Sequence, residues 1–254
     1  MSFIAIIPAR ASSSRLPDKP LLDIGGKPMV VRTAEQAARS KASRVIVATD
    51  DARIQDVVRS HGFTTLLTRA DHPTGTDRLS EAAAQLDLPP DAIVVNVQGD
   101  EPLIDPEHIN AVAALLAERP QASIATCACP LADAQALFNP NVVKVVCDQQ
   151  QRALYFSRAP IPWARDALAD GQRVLATGLP ALHHIGLYAY RANFLAQFPG
   201  LPSGPLEYFE SLEQLRALEN GYVIAVQTMA SHPATGVDTA EDLARVRDLF
   251  LNRL

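Results

Sequence analysis

The chain has 254 residues, of which 48% are hydrophobic and 20% are charged, as is usual for a globular protein with a substantial buried core. Its formal net charge of −5 gives no overall attraction to nucleic acid or to an anionic membrane surface. We therefore expect no nucleic-acid or membrane partner. A polyanionic ligand would have to be bound by a local cluster of cations or by a metal ion.

Neither the first residues nor the cysteines indicate export or a zinc site. The apolar run of residues 1–8 is short, and no positive charge precedes it as in a secretory signal. Cys127, Cys129 and Cys147 are too few and too irregularly spaced to bind zinc. Cys127 and Cys129 fit better as small buried residues on one face of a strand. We expect a cytoplasmic protein with reduced cysteines.

The first half of the chain alternates short apolar runs with helical stretches. The predicted strands are residues 3–7, ended by Pro8, then 45–48, 63–67 and 92–97. The predicted helices are residues 29–40, 50–60 with Asp50 as the cap, 74–86 and 105–118. Because the strands are continuously apolar, they predict a mostly parallel sheet with helices on both faces. The expected fold class is therefore α/β, in a three-layer α/β/α arrangement.

The second half of the chain has a different pattern. Strands at residues 142–147, 153–157 and 182–190 lack long helices between them, which predicts an antiparallel excursion at about residues 138–190. The later predicted elements are a helix at 206–220, a strand at 222–226 and a helix at 239–254. Since we find neither an internal repeat nor a low-complexity linker, we expect residues 1–254 to form a single domain.

A loop rich in cations and serines follows the first strand. Residues 8–20 contain Arg10, Arg15 and Lys19 together with three serines. In open parallel sheets, ligands bind at the carboxyl ends of the strands, and guanidinium, hydroxyl and backbone N–H groups suit a triphosphate. The loop lacks the glycines of a Walker loop or a dinucleotide-binding fingerprint. A solvated basic loop without a ligand is the alternative interpretation.

Two aspartates are candidates for a metal site. Asp100 follows the strand at 92–97, next to Gly99, which allows the backbone to approach a ligand closely. Asp238 lies far along the chain, just before the last predicted helix. Magnesium prefers one or two carboxylates together with phosphate oxygens and water. The alternatives are a turn residue for Asp100 and a helix N-cap for Asp238.

Segments along nearly the whole chain resemble the CMP-Kdo synthetases, which activate the sugar acid 3-deoxy-manno-octulosonate (Kdo). The matching segments are residues 10–20, 71–79, 94–102, 139–146, 155–163, 184–191, 205–216 and 236–239. The resemblance implies a nucleotide-diphospho-sugar transferase-like fold and a Mg²⁺-dependent cytidylyltransferase. Such an enzyme converts CTP and Kdo to CMP-Kdo and pyrophosphate for lipopolysaccharide biosynthesis. It also implies a homodimer formed through the antiparallel region.

The resemblance also implies roles for individual residues. The nucleotide-binding residues would be Arg10, Ser13, Arg15, Lys19, Thr74, Gly75, Arg78 and Gln98. The catalytic residues would be Lys19, Arg10 and Asp100, and the magnesium ligands Asp100 and Asp238. The sugar-binding residues would be Gln98, Arg158, His184, Tyr188, Glu213 and Gln214. Without the resemblance, a surface position for Arg78 and core packing for the His184–Tyr188 pair stay open.

One position departs from the family pattern, and several other functions remain open. The residue before Lys19 is usually glycine in this family, whereas this chain has Asp18. A carboxylate beside a triphosphate is unfavourable unless it points outward or pairs with an arginine. The alternatives in substrate are sialic acid and 8-amino-Kdo. An oxidoreductase that binds a dinucleotide and a nucleotide-binding protein without activity are the alternatives in function.

Overall fold

A nine-stranded sheet forms the centre of the computed structural model, which describes residues 2–11, 16–230 and 236–251. Its strands are β1 Phe3–Ala9, β4 Arg44–Thr49, β5 Thr64–Leu67, β6 Ile93–Asn96, β7 Ile124–Pro130, β8 Lys144–Cys147, β9 Ala153–Ser157, β10 Leu182–Arg191 and β11 Ile224–Thr228. A separate hairpin consists of β2 Asp23–Ile24 and β3 Lys27–Pro28. The helices are α1 Met29–Ala38, α2 Ala52–Ser60, α3 Gly75–Gln85, α4 Pro106–Glu118, α5 Ala134–Phe138, α6 Ala192–Gln197, α7 Pro205–Glu210, α8 Gln214–Glu219 and α9 Ala240–Leu251.

The strand order places a crevice beside β1. The main path of the sheet is β11-β7-β10-β6-β1-β4-β5, and β10 runs antiparallel to both of its neighbours on that path. From β1 the chain moves outward on one side to β4 and β5, and it then returns to the other side as β6. Such a reversal separates the loops that follow two adjacent strands, which opens a crevice at their carboxyl ends.

Each face of the sheet has its own hydrophobic core. Ala5 and Ile7 of β1 are buried in the cluster that includes α1, α2 and α4, whereas Ile4 and Ile6 are buried with α3, α6 and α8. This alternation follows from the two-residue period of a strand. The predicted three-layer α/β/α fold with a mixed, mostly parallel sheet is therefore confirmed. No helix in the described part of the chain is both long and apolar enough to cross a membrane.

The antiparallel excursion is also present. β8 pairs antiparallel with β9 and with the start of β10, and β9 lies off the main path of the sheet. β10 then continues into the central sheet between β6 and β7. The excursion is thus attached to the main sheet through β10, and the turn before β9 also pairs with β11, where the Val226 N–H donates to the Gln151 carbonyl oxygen at 2.8 Å.

Three local predictions were wrong. The helix predicted at residues 206–220 is two short helices, α7 and α8, because Ser211 has a left-handed backbone with φ +51° that interrupts the helical path. The cap of α2 is Asp51, whose side chain accepts from the backbone N–H of Arg53, and not Asp50. β1 continues through Pro8 to Ala9, since the fixed φ of proline is compatible with a strand.

Candidate active site

A cleft of about 510 Å³ lies at the carboxyl ends of β1 and β6. It brings together nine residues predicted from the sequence, namely Arg10, Lys19, Thr74, Gly75, Arg78, Gln98, Asp100, Glu213 and Asp238. The remaining lining residues are Pro8, Ala9, Pro20, His72, Pro73 and Gly99. The size falls within the range of small-molecule sites. The strand reversal beside β1 therefore brings these nine residues to one cleft.

Gly99 lines the cleft and also allows two strand ends to approach each other. A Cβ atom at this position would lie 2.8 Å from the carbonyl oxygen of Pro8, which is closer than real Cβ contacts. Thr33 strengthens this junction by donating from its hydroxyl to the Gly99 carbonyl oxygen, at 3.1 Å. Glycine at position 99 thus allows Asp100 to lie close to the loop of residues 8–20, which we call the phosphate loop. The predicted approach of a ligand to the Gly99 backbone stays a prediction.

The two predicted metal ligands lie on either side of Lys19. Lys19 Nζ is 2.6 Å from Asp100 Oδ2 and 3.0 Å from Asp238 Oδ1, although the aspartates are far apart in the sequence. The Val237 N–H donates to the Asp100 carbonyl oxygen at 2.9 Å, which attaches the segment before α9 to the end of the β6 loop. The fold therefore brings both carboxylates to a single positive centre.

The N-terminus of α9 is capped without the Asp238 side chain. Thr239 Oγ1 accepts from the Asp242 N–H at 3.2 Å, and Asp242 Oδ2 accepts from the N–H groups of Asp238 and Thr239 at 3.1 and 3.0 Å. This reciprocal arrangement is a capping box. The alternative interpretation of Asp238 as the helix cap was therefore wrong, and its carboxylate is available to the cleft.

The charge around these aspartates fits a divalent cation. Burial, and then the nearby charges of Asp100 and Asp238, raise the pKa of Glu101 to about 7. The described residues contain no cluster of three or more metal-binding side chains, but Mg²⁺ needs only one or two carboxylates when phosphate supplies the other oxygens. Two converging carboxylates in a region of excess negative charge therefore fit Mg²⁺ together with a triphosphate.

The opposite wall of the cleft is the N-terminus of α3. Thr74 caps this helix by accepting from the Asp77 N–H at 3.2 Å. Arg78 is only 4% exposed, because its guanidinium pairs with Asp50 at 2.8 Å and donates to Thr68. The alternative interpretation of Arg78 as a surface arginine was therefore wrong. Asp50, wrongly predicted to cap α2, instead orients the guanidinium of Arg78.

His72 is a lining residue that the sequence analysis did not select. Its side chain is almost fully buried, and its Nε2 forms a short hydrogen bond with the Glu81 carboxylate. Glu81 also accepts from the Arg69 N–H at 3.0 Å, so the carboxylate fixes both the loop and the imidazole ring. The available signal was the position of His72 directly before Pro73, Thr74 and Gly75.

Of the predicted sugar-binding residues, Gln98 and Glu213 reach the cleft. Glu213 Oε1 accepts from the Thr76 N–H at 3.3 Å, and burial raises the pKa of the Glu213 carboxyl. Gln98 Nε2 lies 3.5 Å from the Gly186 carbonyl oxygen, which links the β6 loop to β10. Gln214 begins α8 next to Glu213, but it is buried and is not among the lining residues.

The other predicted sugar-binding residues lie outside the cleft lining. Arg158 donates to the carbonyl oxygens of Glu210 and Pro140, at 2.7 and 3.0 Å. His184 is buried, with Nε2 3.0 Å from Thr126 Oγ1 and with its ring 5.4 Å from that of Tyr188. Burial lowers the pKa of His184 to about 3. The sugar roles of these residues remain predictions.

The phosphate loop is described only in part. Ser13 and Arg15, both predicted to bind the triphosphate, lie outside the described residues. Asp18 has φ +50°, and its carboxylate lies 2.7 Å from Arg53 Nη2. This pairing with an arginine is one of the two arrangements that make a carboxylate tolerable next to a triphosphate.

A cleft at the sheet end that combines cations with two converging carboxylates fits an enzyme that transfers a nucleotidyl group. The cytidylyltransferase family matches residues 4–228. CMP:2-keto-3-deoxy-manno-octonic acid synthetase, solved in complex with CTP, is 40% identical and has a TM-score of 0.89, with 100% of both chains covered. The chain therefore belongs to the cytidylyltransferase family and, within it, to the CMP-Kdo synthetases.

A more distant structure shares only the fold. A cytidylyltransferase from Leptospira borgpetersenii serovar Hardjo-bovis (strain JB197) is 17% identical, with a TM-score of 0.61. The match covers 100% of this chain and 87% of that protein. The three-layer architecture is therefore shared at an identity too low to carry an argument about substrate.

Proposed function

We propose that the protein transfers the cytidylyl group of CTP to Kdo, giving CMP-Kdo and pyrophosphate for lipopolysaccharide biosynthesis. The observation that carries this proposal is the convergence of Lys19, Asp100 and Asp238 at the carboxyl ends of β1 and β6. The full-length relative solved with CTP supports cytidine triphosphate as the nucleotide.

The triphosphate would lie along the loop that follows β1. Arg10 and Lys19 both line the cleft, and guanidinium and ammonium groups offer several donors to phosphate oxygens. Lys19 lies at the junction of Asp100 and Asp238. With Mg²⁺ on these carboxylates, its ammonium would turn to the pyrophosphate and neutralise charge as that group leaves. Ser13 and Arg15 of the same loop are proposed to add further phosphate contacts.

The cytidine would lie against the start of α3. Gly75 has open space where a Cβ would project, so a flat ring can approach its backbone. Arg78 is held in one orientation by Asp50, and Thr74 and Gln98 add polar groups to the lining of the cleft. Rigid donors of this kind favour one base, since a wrong base leaves buried polar groups unpaired.

Asp100 and Asp238 would hold Mg²⁺. The shared contact with Lys19 shows that oxygen atoms of both carboxylates can converge on one positive centre. When bound, the metal would neutralise phosphate oxygens and increase the acidity of the attacking hydroxyl. Glu101 would act from outside the ligand set, because its burial next to both aspartates adds to the negative potential of the site.

The proposed reaction is an in-line displacement at the α-phosphorus of CTP. The oxygen of the C2 hydroxyl of Kdo forms a bond to the α-phosphorus, and the bond to the oxygen that bridges to the β-phosphate breaks. The hydroxyl proton is released, and the electron pair leaves with pyrophosphate. Arg10 and Lys19 stabilise that leaving group.

The sugar would enter from the side of β10 and α8. Glu213 and Gln98 line the cleft there, and Arg158, His184, Tyr188 and Gln214 lie on the elements behind them. We propose that these residues select Kdo, with Arg158 binding its carboxylate through a bidentate contact. This role requires that the guanidinium exchange its present bonds to the carbonyl oxygens of Pro140 and Glu210.

The antiparallel region and α7 would form a homodimer interface. Large apolar side chains are exposed there, namely Leu154, Trp163, Leu206, Tyr208 and Phe209. Glu210 accepts from the Tyr155 and Ser157 hydroxyls, so α7 lies beside β9 and the exposed groups belong to one side of the molecule. An exposed apolar surface of this kind marks a protein contact.

Sedimentation velocity tests this interface. The double variant Tyr208→Ser with Phe209→Ser should shift a dimer towards the monomer, whereas Leu67→Ser, far from this surface, should not.

We further propose that residues 1–254 act as one domain and that the protein works in the cytoplasm. The domain proposal is supported by the sheet, which includes strands from β1 to β11 in one hydrogen-bonded path. The location is supported by three free cysteines, two of them buried, which suit a reducing compartment.

The decisive experiment measures pyrophosphate release from CTP and Mg²⁺ with Kdo, sialic acid, 8-amino-Kdo or no sugar. We expect release that depends on Kdo, and its loss in Asp100→Asn. Release with sialic acid or 8-amino-Kdo but not with Kdo would show that the proposed sugar substrate is wrong and would leave the proposed nucleotide site unchanged. The absence of release with every sugar would contradict the proposed activity.

A second experiment tests the role of the metal. Replacing Mg²⁺ with Mn²⁺ should shift the pH–rate profile if the metal increases the acidity of the attacking hydroxyl of the sugar.

A further inference from the structure

The phosphate loop ends in an aspartate with an unusual backbone. Asp18 has φ +50° and ψ 30°, in the left-handed region that residues other than glycine rarely adopt. Its carbonyl oxygen accepts from the Leu21 N–H at 2.8 Å, which closes the helical turn Lys19–Leu21. The conformation of Asp18 therefore sets the direction in which Lys19 leaves the loop.

Arg53 supplies the positive charge opposite this carboxylate. Its Nη2 lies 2.7 Å from Asp18 Oδ1 and 2.7 Å from Asp51 Oδ2. Its Nε lies 3.1 Å from Asp51 Oδ2, and its backbone N–H donates to the same carboxylate at 2.7 Å. The Arg53 side chain is 59% exposed, yet several bonds from its guanidinium to Asp51, the N-cap of α2, hold it in place. The loop is thus connected to a helix more than thirty residues later in the chain.

The charge of Asp18 opposes the chemistry of its neighbours. Lys19 and Arg10 line the cleft and would face the triphosphate, whereas an unpaired carboxylate at position 18 would repel it. Asp51 needs no such compensation, because it accepts from the backbone at the N-terminus of α2, where the helix dipole favours a negative charge. Of the two carboxylates that Arg53 contacts, Asp18 is therefore the one whose neutralisation affects the nucleotide.

We propose that Arg53 is a positioning residue for CTP that acts through Asp18, because it neutralises this carboxylate next to the cations that line the cleft. This inference rests on the proposed function, since it requires a triphosphate in the cleft. Arg53 itself is not a lining residue and touches no reacting atom. Its effect would be on CTP affinity, and the chemical step would be unchanged.

The experiment measures CTP binding by calorimetry in the presence of Mg²⁺ and without a sugar. Arg53→Gln should weaken CTP binding about two- to fivefold, the size expected for an exposed charge pair. The same substitution in an Asp18→Asn background should have no effect, because there is then no charge to neutralise. Arg152→Gln is the matched control, since Arg152 is also exposed and pairs with Asp148 away from the cleft.

Two further readouts separate this role from a structural one. In turnover with Kdo, Arg53→Gln should raise the KM for CTP and leave kcat unchanged. The difference in KM between the variant and the parent should vanish at about 1 M salt, where the screening length is about 3 Å. An equal loss of CTP affinity in both Asp18 backgrounds, or no loss at all, overturns the role of Arg53. A parent protein that does not bind CTP overturns the proposed function as well.

Discussion

The nucleotide end of the cleft and the antiparallel region differ in whether their predicted residues line the cleft. Arg10, Lys19, Asp100 and Asp238 all line the cleft, and each belongs to a loop that follows a strand or precedes a helix. In the antiparallel region, His184 lies inside β10, and its imidazole is bound by Thr126. The first set is open to the cleft, whereas His184 in the second set contacts other side chains.

This difference teaches where sequence motifs are reliable guides to contact. Loops at the ends of parallel strands must all open at the same edge of the sheet, so their side chains converge whatever the details of packing. A residue in the middle of a strand faces either a core or a ligand, and a neighbouring element decides which. Phe156 and Tyr188 cover His184 in this protein.

The largest effect should come from the two aspartates at the nucleotide end. Asp100→Asn and Asp238→Asn should each lower kcat at least about 100-fold, because each removes a charge that holds the metal. The measurement is the initial rate of pyrophosphate release with CTP, Mg²⁺ and Kdo. Asp133→Asn is the control, since Asp133 caps α5 and asparagine is an equally good cap. Substantial activity in Asp238→Asn would remove that residue from the metal site.

A second prediction tests whether His184 is a core residue. Because burial lowers its pKa from 6.5 to about 3, the unfolded chain binds one more proton than the folded protein between these pH values. As the pH is lowered below 6.5, the free energy of unfolding should therefore decrease. The contribution of His184 to this decrease is about 1.4 kcal/mol per pH unit. Urea denaturation at pH 7.5 and pH 5 gives the measurement.

Two histidine variants sharpen that prediction. In His184→Gln the proton that binds to His184 in the unfolded chain no longer contributes. The decrease in the free energy of unfolding from pH 7.5 to pH 5 should therefore be smaller than in the parent protein by about 2 kcal/mol. His61→Gln, which changes an exposed histidine, should keep the parent slope. An unchanged slope in His184→Gln would show that the imidazole is accessible to protons in the folded protein.

A third prediction concerns Arg158. Arg158→Gln should raise the KM for Kdo about tenfold and leave CTP binding unchanged, because the lost group is a partner for the sugar carboxylate and not for the phosphates. Steady-state kinetics with each substrate varied in turn gives both values. If the variant loses thermal stability without a change in KM, the guanidinium serves only to hold the carbonyl oxygens of Pro140 and Glu210.

The smallest effect should come from Asp18. Asp18→Gly should leave CTP affinity unchanged or improve it, by no more than about twofold, since glycine adopts the same left-handed backbone and carries no charge. Calorimetric titration with CTP and Mg²⁺ measures the change. A clear loss of affinity would give the carboxylate a positive role in the nucleotide site.

Much of the fold was predictable because local patterns determine it. Continuous apolar strands predicted a parallel sheet with two covered faces, and both cores are present. The helix at residues 206–220 was mispredicted because its apolar spacing is continuous, while the left-handed Ser211 that divides it has no strong local signal. Backbone conformation at a single residue is set by the packing on either side of it.

Local patterns in the sequence predicted the alternating strands and helices of the first half of the chain, the antiparallel excursion, the cations after β1 and the aspartate after β6. Which charges meet depends on the tertiary structure. Arg78 pairs with Asp50, and Arg53 with Asp18, because the strand order brings their loops to one edge of the sheet. Periodicity and turn chemistry act over a few residues, whereas the choice of a partner depends on burial and on distances between segments remote in the chain.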